Sequence, residues 1–435
     1  MADQAPARLS ATETAARLGV KPATLYAYVS RGLLGRERGA HGSTFDPIEV
    51  ERFAASRRRN GADNPAVLIK DGRPAGGPLM TIDTDIALIE DDQLYYRGKP
   101  AADLARTATF ESVCSWLWTG HWDPTSTFRP LPGAPAAVRP VLRALPAGVG
   151  PADRIRVVVP VLAGIDPLRD VLEPAGVAHR AGGLISTAAA VIGAEVDHDL
   201  PRAPVLRQPR HPGDGAVHRV ASAGSVAEML VAALSPGGSV DHDQLVRIVN
   251  ATLILLVDHD LAVSTLAARA AASARANPYA VVISGLGALD SALHGNASRA
   301  AHRMLTAVVS GEPARTVVAN RIATGRGGVP GFGHRIYIEA DPRAELIMES
   351  LADLPGADSA LAAAAAVTEV VGDHGGPFRN VDLALATLAL AAEMSEEAGE
   401  VIFALARIGG WIAHAIDEYS QPPLRLRPVG RYIGP

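Results

Sequence analysis

Beyond Pro100 and through to about residue 420, apolar positions recur at helical spacing in Ala- and Leu-rich segments punctuated by Pro and Gly. That pattern predicts a body that is nearly all α. Upstream the period changes. AVLIKDG and DTDIALIEDDQLYYRG break apolar runs with turn residues, as the strands of a small sheet would. The Pro-rich span 128–155, FRPLPGAPAAVRPVLRALPAGVGPADRI, predicts a surface helix between irregular loops. A third pattern occupies the start of the chain. LSATETAARLGVKPATLYAYVSRGLL reads as two short helices: Ser10 or Thr12 caps the first, Leu9, Ala15, Ala16 and Leu18 form its apolar face, and Gly19 ends it. Pro22 opens the second helix and Gly32 closes it. A basic, glycine-rich wing, RERGAHGSTFDP, and a further helix, IEVERFAASRRR, follow.

Length changes this picture by adding domains: 435 residues exceed what one core supports, so two or three are expected. With 48% hydrophobic residues a large core forms and a disordered chain is excluded; with aromatics at 4%, Ala-rich helices pack closely. Charge divides the chain. Residues 1–59 hold ten Lys or Arg and six Asp or Glu, a charge of +4, and since the whole carries −5 the remainder carries −9. SRRRNGADNP, at 56–65, marks the boundary between basic head and acidic body. The single cysteine, Cys114 in FESVCSWLWTG, excludes a disulfide framework or a CxxC site and is expected to be a buried thiol. No uninterrupted apolar run reaches about 18 residues, and MADQAPARLS lacks the features of a signal peptide, so a soluble, cytoplasmic protein without membrane contact is expected. No glycine-rich phosphate loop follows a strand and no HExxH or metal-ligand pair stands out, so neither metal nor bound cofactor is expected.

The head, over about its first 59 residues, resembles the helix-turn-helix of the MerR and excisionase-like families. In such folds the second helix enters the major groove, which makes Lys21, Thr24, Tyr26, Arg31, Arg36 and Arg38 candidates for phosphate or base contacts with DNA. A charge of +4 is modest for one copy, and dimerisation would present two. The competing reading is a helical docking domain without DNA.

Four stretches of the body look chemical, and each alone has an ordinary reading. LLVDHDLAVST sets His259 between two carboxylates, where a capped surface residue is the usual outcome. ALDSALHGNASRAAHRML puts His294 before Gly295 and a helix start, whose dipole would keep the imidazole neutral. GVPGFGHRIYIEADPR carries His334 on a glycine-rich turn with Arg343 nine residues on. FRNVDLALATLAL places Asp382 at the head of an apolar helix, where N-capping is the default role.

Taken in order, VDHDLAVSTLAAR, ALHGNASRA, GVPGFGHRIYIEADPR, RNVD, FALARIGGWIAH and LRPVGRYIG resemble the citrate synthase family, over about 66–434. DTDIALIEDDQLYYRG and FESVCSWLWTG look like that family's opening. The resemblance implies an all-α, two-domain fold: a large domain of 66–292 plus 386–435 and a small domain of 293–385, joined by a 60–65 linker to the winged helix-turn-helix of 1–59. It implies condensation of acetyl-CoA with oxaloacetate to citrate and CoA. Asp382 would be the base, His294 the donor to the thioester oxygen, and His334 the acid beside the keto group, with His259, Arg343, Arg407 and Arg427 binding oxaloacetate. The counterpart of Arg427 reaches a neighbouring subunit's site, which implies a homodimer. The departures lie around the coenzyme. Ile338 stands where the family usually has Lys or Arg, GGANE has become GNASR (Asn296, Ser298, Arg299), Ala262 replaces the usual Asn, and NVDFYSG has become NVDLALA. Two alternatives remain open: 2-methylcitrate synthesis from propionyl-CoA, and a DNA-binding regulator whose body senses a carboxylate.

Overall fold

The computed structural model describes residues 7–39, 42–60, 81–146, 148–192, 224–237, 240–291, 297–324, 328–373 and 376–434. AVLIKDG, residues 61–65 of the expected linker and His294 lie outside them.

The head runs β1 (Leu9–Ser10), α1 (Ala11–Arg17), α2 (Pro22–Ser30), β2 (Glu37–Gly39), β3 (Gly42–Phe45) and α3 (Pro47–Asn60), its strands antiparallel in the order β1-β3-β2. Ser10, not Thr12, starts α1. Its Oγ accepts the Glu13 N–H at 3.2 Å while the Glu13 carboxylate accepts the Ser10 N–H at 2.8 Å, a reciprocal capping box. Gly19 and Gly32 adopt positive φ after the two helices, as their positions in the sequence predict. Leu9, Ala15, Leu18, Leu25, Leu34, Phe45 and Val50 close a small core of their own. Lys21, Tyr26, Arg31, Arg36 and Arg38 face solvent, and Thr24 is half-buried. Helix α3 continues to Asn60, so the expected boundary at 59 falls just inside it.

The body opens with a meander of β4 (Ala87–Glu90), β5 (Gln93–Tyr96) and β6 (Lys99–Pro100). Helices follow: α4 (Ala101–Thr107), α5 (Phe110–Thr119), α6 (Ala134–Arg143), α7 (Pro151–Ile165), α8 (Pro174–Ile192), α9 (Val226–Leu234), α10 (His242–Leu256), α11 (Val263–Ser273) and α12 (Pro278–Leu289). A second group comprises α13 (Ala297–Val309), α14 (Ala314–Thr324), α15 (Pro342–Ala352), α16 (Asp358–Gly372) and α17 (Val381–Ala391), before α18 (Ala398–Ser420) returns to the first. Helix α17 packs on α13, α15 and α16 as one continuous element, and the expected 385/386 boundary falls within it.

Helix α18 is the axis of the core. Packed against α5, α7, α8, α10, α11 and α12, it buries every residue from Ala398 to Ala415. The expectation that no apolar run is long enough to span a membrane is corrected here. Helices α8 and α18 are long and apolar enough to cross a membrane, yet 78% and 94% of their apolar windows are buried inside the protein, as core helices require. Gly410 makes one approach possible: a Cβ there would sit 2.2 Å from the Val257 carbonyl, so only glycine lets the end of α10 lie against α18. Cys114 is buried, as expected.

The head is docked on α14. The Ala7 N–H donates to Asn320 Oδ1 (2.9 Å), Arg17 Nη1 donates to the Ile322 carbonyl (2.6 Å), and Arg315 pairs with Asp46 (2.5 Å). Ala323 packs on the head's core while Ile48 of α3 joins the core of the body.

Candidate functional site

The site is assembled where the end of α10, the turn before α15, the start of α17 and the middle of α18 meet. Its centre is the turn at 328–340. Gly331 and Gly333 have φ of 86° and 78°, and a Cβ on Gly331 would lie 2.8 Å from that of Leu383, so glycine is required both by conformation and by contact with α17. The turn is laced to the approach of that helix: Asn380 N–H to the Gly331 carbonyl (2.8 Å), Gly333 N–H to the Phe378 carbonyl (2.7 Å), and Asn380 Nδ2 to the Gly333 carbonyl (2.8 Å).

On this frame His334 Nδ1 accepts the backbone N–H groups of Ile336 (3.1 Å) and Tyr337 (3.2 Å). An acceptor at Nδ1 requires the ring proton on Nε2. Burial, and next the Arg343 guanidinium, push its pKa down to about 4. At neutral pH His334 is therefore an uncharged donor through Nε2. His259 lies beside it, ring centres 4.9 Å apart, and its Nε2 meets the Tyr337 hydroxyl at 3.0 Å. The usual outcome for an Asp-flanked histidine fails here: His259 is buried, and burial together with Arg343 and Arg407 holds it well below its ordinary pKa.

Two cations face these imidazoles. Arg343 is held by Asp341, whose Oδ1 accepts from Nε (2.9 Å) and Oδ2 from Nη2 (2.8 Å), so that among the described residues Nη1 is the end of the fork without a hydrogen bond. Asp341 Oδ2 also accepts the Val381 N–H (3.0 Å), tying Arg343 to the start of α17. Arg407 has no such partner. Its Nε donates to the Leu256 carbonyl (3.0 Å), and its buried Nη1 has no hydrogen bond among the described residues. Burial first, then repulsion from Arg343, lowers its pKa against the pull of Asp258.

Asp382 completes the set, in a role other than capping. Asn380 caps α17 by accepting the Asp382 N–H (2.9 Å), and the Asp382 carboxylate makes no hydrogen bond among the described residues. Desolvation raises its pKa to about 6, with Arg343 opposing and Asp341 assisting. His334, His259, Arg343, Arg407, Asp341 and Asp382 thus share one electrostatic neighbourhood. It offers a raised carboxyl for accepting a proton, a neutral imidazole for giving one, and two guanidinium groups for an anion.

A family model described as citrate synthase, C-terminal domain, matches positions 78–429. The chain belongs to the citrate synthase family. Over 369 residues it is 28% identical to the citrate synthase of Haloferax volcanii, covering 82% of this chain and 94% of that one. Over 353 residues it is 26% identical to the 2-methylcitrate synthase of Shewanella oneidensis, covering 78% and 88%. Its fold is similar to that of citrate synthase from Thermoplasma acidophilum, solved as a ternary complex with carboxymethyl coenzyme A and oxaloacetate: TM-score 0.60, 21% identity, 82% and 94% of the two chains. The fold is the helical citrate synthase fold, and the protein is a citrate synthase-like enzyme of the class that converts an acyl group to an alkyl group on transfer.

Among the described residues, one predicted for the substrate site is not brought into this constellation. His294 lies outside the described residues; Arg427 is exposed on the C-terminal arm, its N–H bonded to the Leu424 carbonyl (3.1 Å). Conversely, Asp341 and Tyr337 were missed. The Asp-Pro pair ahead of Arg343 is an N-cap followed by an N1 proline, which is the signal for Asp341; Tyr337 has no comparable one. His414 is fully buried. Arg269 donates to its Nδ1 (2.9 Å), so Nε2 carries the proton and donates to Asp258 Oδ2 (3.2 Å), which anchors the residue before His259.

Proposed function

We propose that this enzyme condenses acetyl-CoA with oxaloacetate to give citrate and free CoA. The observation that carries the reading is Arg407: a buried guanidinium whose Nη1 has no hydrogen bond among the described residues, facing Arg343 and two neutral imidazoles, suits a small dicarboxylate. Asp382 takes a methyl proton from the thioester, and His294, by family resemblance, holds the resulting enol(ate) oxygen. The carbanion adds to the keto carbon while His334 Nε2–H protonates the keto oxygen; water then cleaves the thioester and releases the thiol. His259, with Tyr337, lines the oxo-acid side. Arg427 would act in a partner subunit, which makes the working unit a homodimer. The ligands named for the Thermoplasma relative and the identity to Haloferax citrate synthase support this assignment. The test is steady-state thiol release from acetyl-CoA and from propionyl-CoA with oxaloacetate. A higher kcat/KM with propionyl-CoA would turn the assignment to 2-methylcitrate synthesis, since one methylene is worth only about 1–3 kcal/mol.

The coenzyme contacts are the second point to test. Ile338 is 84% exposed. Arg299 is already paired with Glu400 (2.9 Å) and Glu397 (3.2 Å). We expect a high KM for acetyl-CoA with a nearly normal kcat, and a few-fold lower KM in Ile338→Lys, on the order of 1 kcal/mol. No change in that KM would mean that exposed Arg335 supplies the charge.

A second reading is favoured by the head. Its two helices and β2–β3 hairpin suit a winged helix-turn-helix, and docking on α14 leaves Lys21, Tyr26, Arg31, Arg36 and Arg38 exposed, so the head could carry DNA binding beside catalysis. Salt-dependent binding of duplex DNA by the full chain, with a log–log slope that shallows in Arg36→Ala, is the expected result; no binding at low salt would remove DNA as a partner.

A further inference from the structure

The tip of the β4–β5 hairpin reaches the segment that follows His334. Pairing of Glu90 with Gln93 leaves Asp91 and Asp92 as a two-residue turn, both at positive φ, 47° and 54°. Asn or Gly takes that conformation at lower cost than Asp. The carboxylate of Asp92 has a compensating set of partners: it accepts the backbone N–H groups of Ile338 (2.8 Å), Glu339 (2.6 Å) and Ala340 (3.3 Å). Three successive N–H groups converging on one anion form a nest, and those of Glu339 and Ile338 lower the pKa of this carboxyl.

The gripped residues lie between two separate anchors. Upstream, Gly333 is tied to Phe378 and Asn380; downstream, Asp341 caps α15 and binds Val381. Between them residues 334–340 form no helix or strand, and among the described residues the hydrogen bonds to the His334 ring come only from Ile336 and Tyr337. Those two N–H groups sit immediately before the three that Asp92 holds.

We propose that Asp92 is a positioning residue for His334. By fixing residues 338–340 it keeps the Ile336 and Tyr337 N–H groups on Nδ1, and so keeps the Nε2 proton directed at the keto oxygen. This rests on the reading of His334 as the proton donor. The oxo-acid cations are outside its reach, because Arg343 is anchored by Asp341 and Arg407 by the Leu256 carbonyl.

The test uses the full chain. Asp92→Gly removes the carboxylate at a position whose φ suits glycine, so the hairpin is not strained by the change. Expected are a roughly tenfold to hundredfold fall in kcat, an oxaloacetate Kd within about twofold of the parent, and a nitrogen NMR spectrum of the His334 ring that shifts from one Nε2–H tautomer to a mixture. Asp92→Asn, which keeps one acceptor oxygen, should fall between. His334→Gln supplies the second arm: with the ring gone, adding Asp92→Gly should lower kcat no further. Additive losses, or an unaltered tautomer in Asp92→Gly, would overturn the positioning role while leaving His334 in place. A parental kcat in His334→Gln would overturn the donor assignment and the proposal with it.

Discussion

Asp382→Asn is expected to lower kcat by roughly 10²–10⁴-fold, the range typical of a lost general base, while the protein becomes more stable at neutral pH. Both effects have one cause. Desolvation raises the carboxyl to about 6 from an ordinary 3.8. A raised carboxyl is a better base near neutrality than an exposed one, but its ionised form is disfavoured in the fold. The sign follows from linkage: the folded state binds the proton more tightly than the unfolded one, so stability is greatest below the unfolded value and is lost as pH rises through about 6. Well above 6 the ionised group costs up to about 3 kcal/mol, which the neutral amide avoids in part. Denaturant unfolding should therefore show Asp382→Asn ahead of the parent at pH 7.5, with the gap closing towards pH 4. In the parent, kcat/KM for acyl-CoA should fall about tenfold per pH unit below about 6 as Asp382 takes up a proton, and by one proton only, because His334 stays neutral down to about 4. Oxaloacetate binding should change little. A parental rate in Asp382→Asn would remove it from the base role, and equal stability at pH 7.5 would mean the carboxyl is not destabilised.

What could be read from the chain, and what could not, divides along a physical line. The capping box at Ser10, the Pro22 start of α2, the β4–β5 hairpin and the helical body follow from local rules, and the structure has them. Ordered motifs supplied the candidate residues, but not their surroundings. His259 looked like a surface residue because two flanking aspartates dominate its local context; tertiary packing turns Asp258 towards His414 and buries the imidazole. Asp382 looked like a cap because capping is what a carboxylate at a helix start usually does, yet Asn380, two residues earlier, takes the cap and the carboxyl has no hydrogen bond among the described residues. Asp92 illustrates the limit most plainly. Its contact with Ile338 spans 246 residues, and no local pattern encodes a partner at that distance.

Arg407→Leu should raise the oxaloacetate Kd by roughly 10²–10³-fold, on the order of 3–4 kcal/mol for a buried charge-assisted contact, without a matching loss of stability. The two arginines differ in how the fold treats them. Arg343 is neutralised in place by Asp341, so removing it would strand a buried carboxylate and damage the fold along with the site. Arg407 pays burial and repulsion from Arg343 against only a longer-range attraction to Asp258, which is itself engaged by His414. Removing it frees the Leu256 carbonyl, about 1 kcal/mol, and takes a cation from the neighbourhood of Asp258, while it relieves the repulsion with Arg343 and the desolvation of a guanidinium that no carboxylate contacts among the described residues. Arg407→Lys keeps the charge but loses the fork that serves that carbonyl and a carboxylate together, so its Kd should lie between those of the parent and Leu variants. Thermal unfolding with and without saturating oxaloacetate separates a lost ligand site from a lost fold. The parent should gain stability with ligand concentration, and Arg407→Leu should start at a similar Tm and gain almost nothing over the same range. If Arg407→Leu instead unfolds early and still gains stability with oxaloacetate, the guanidinium is a structural group and the dicarboxylate is held by other residues.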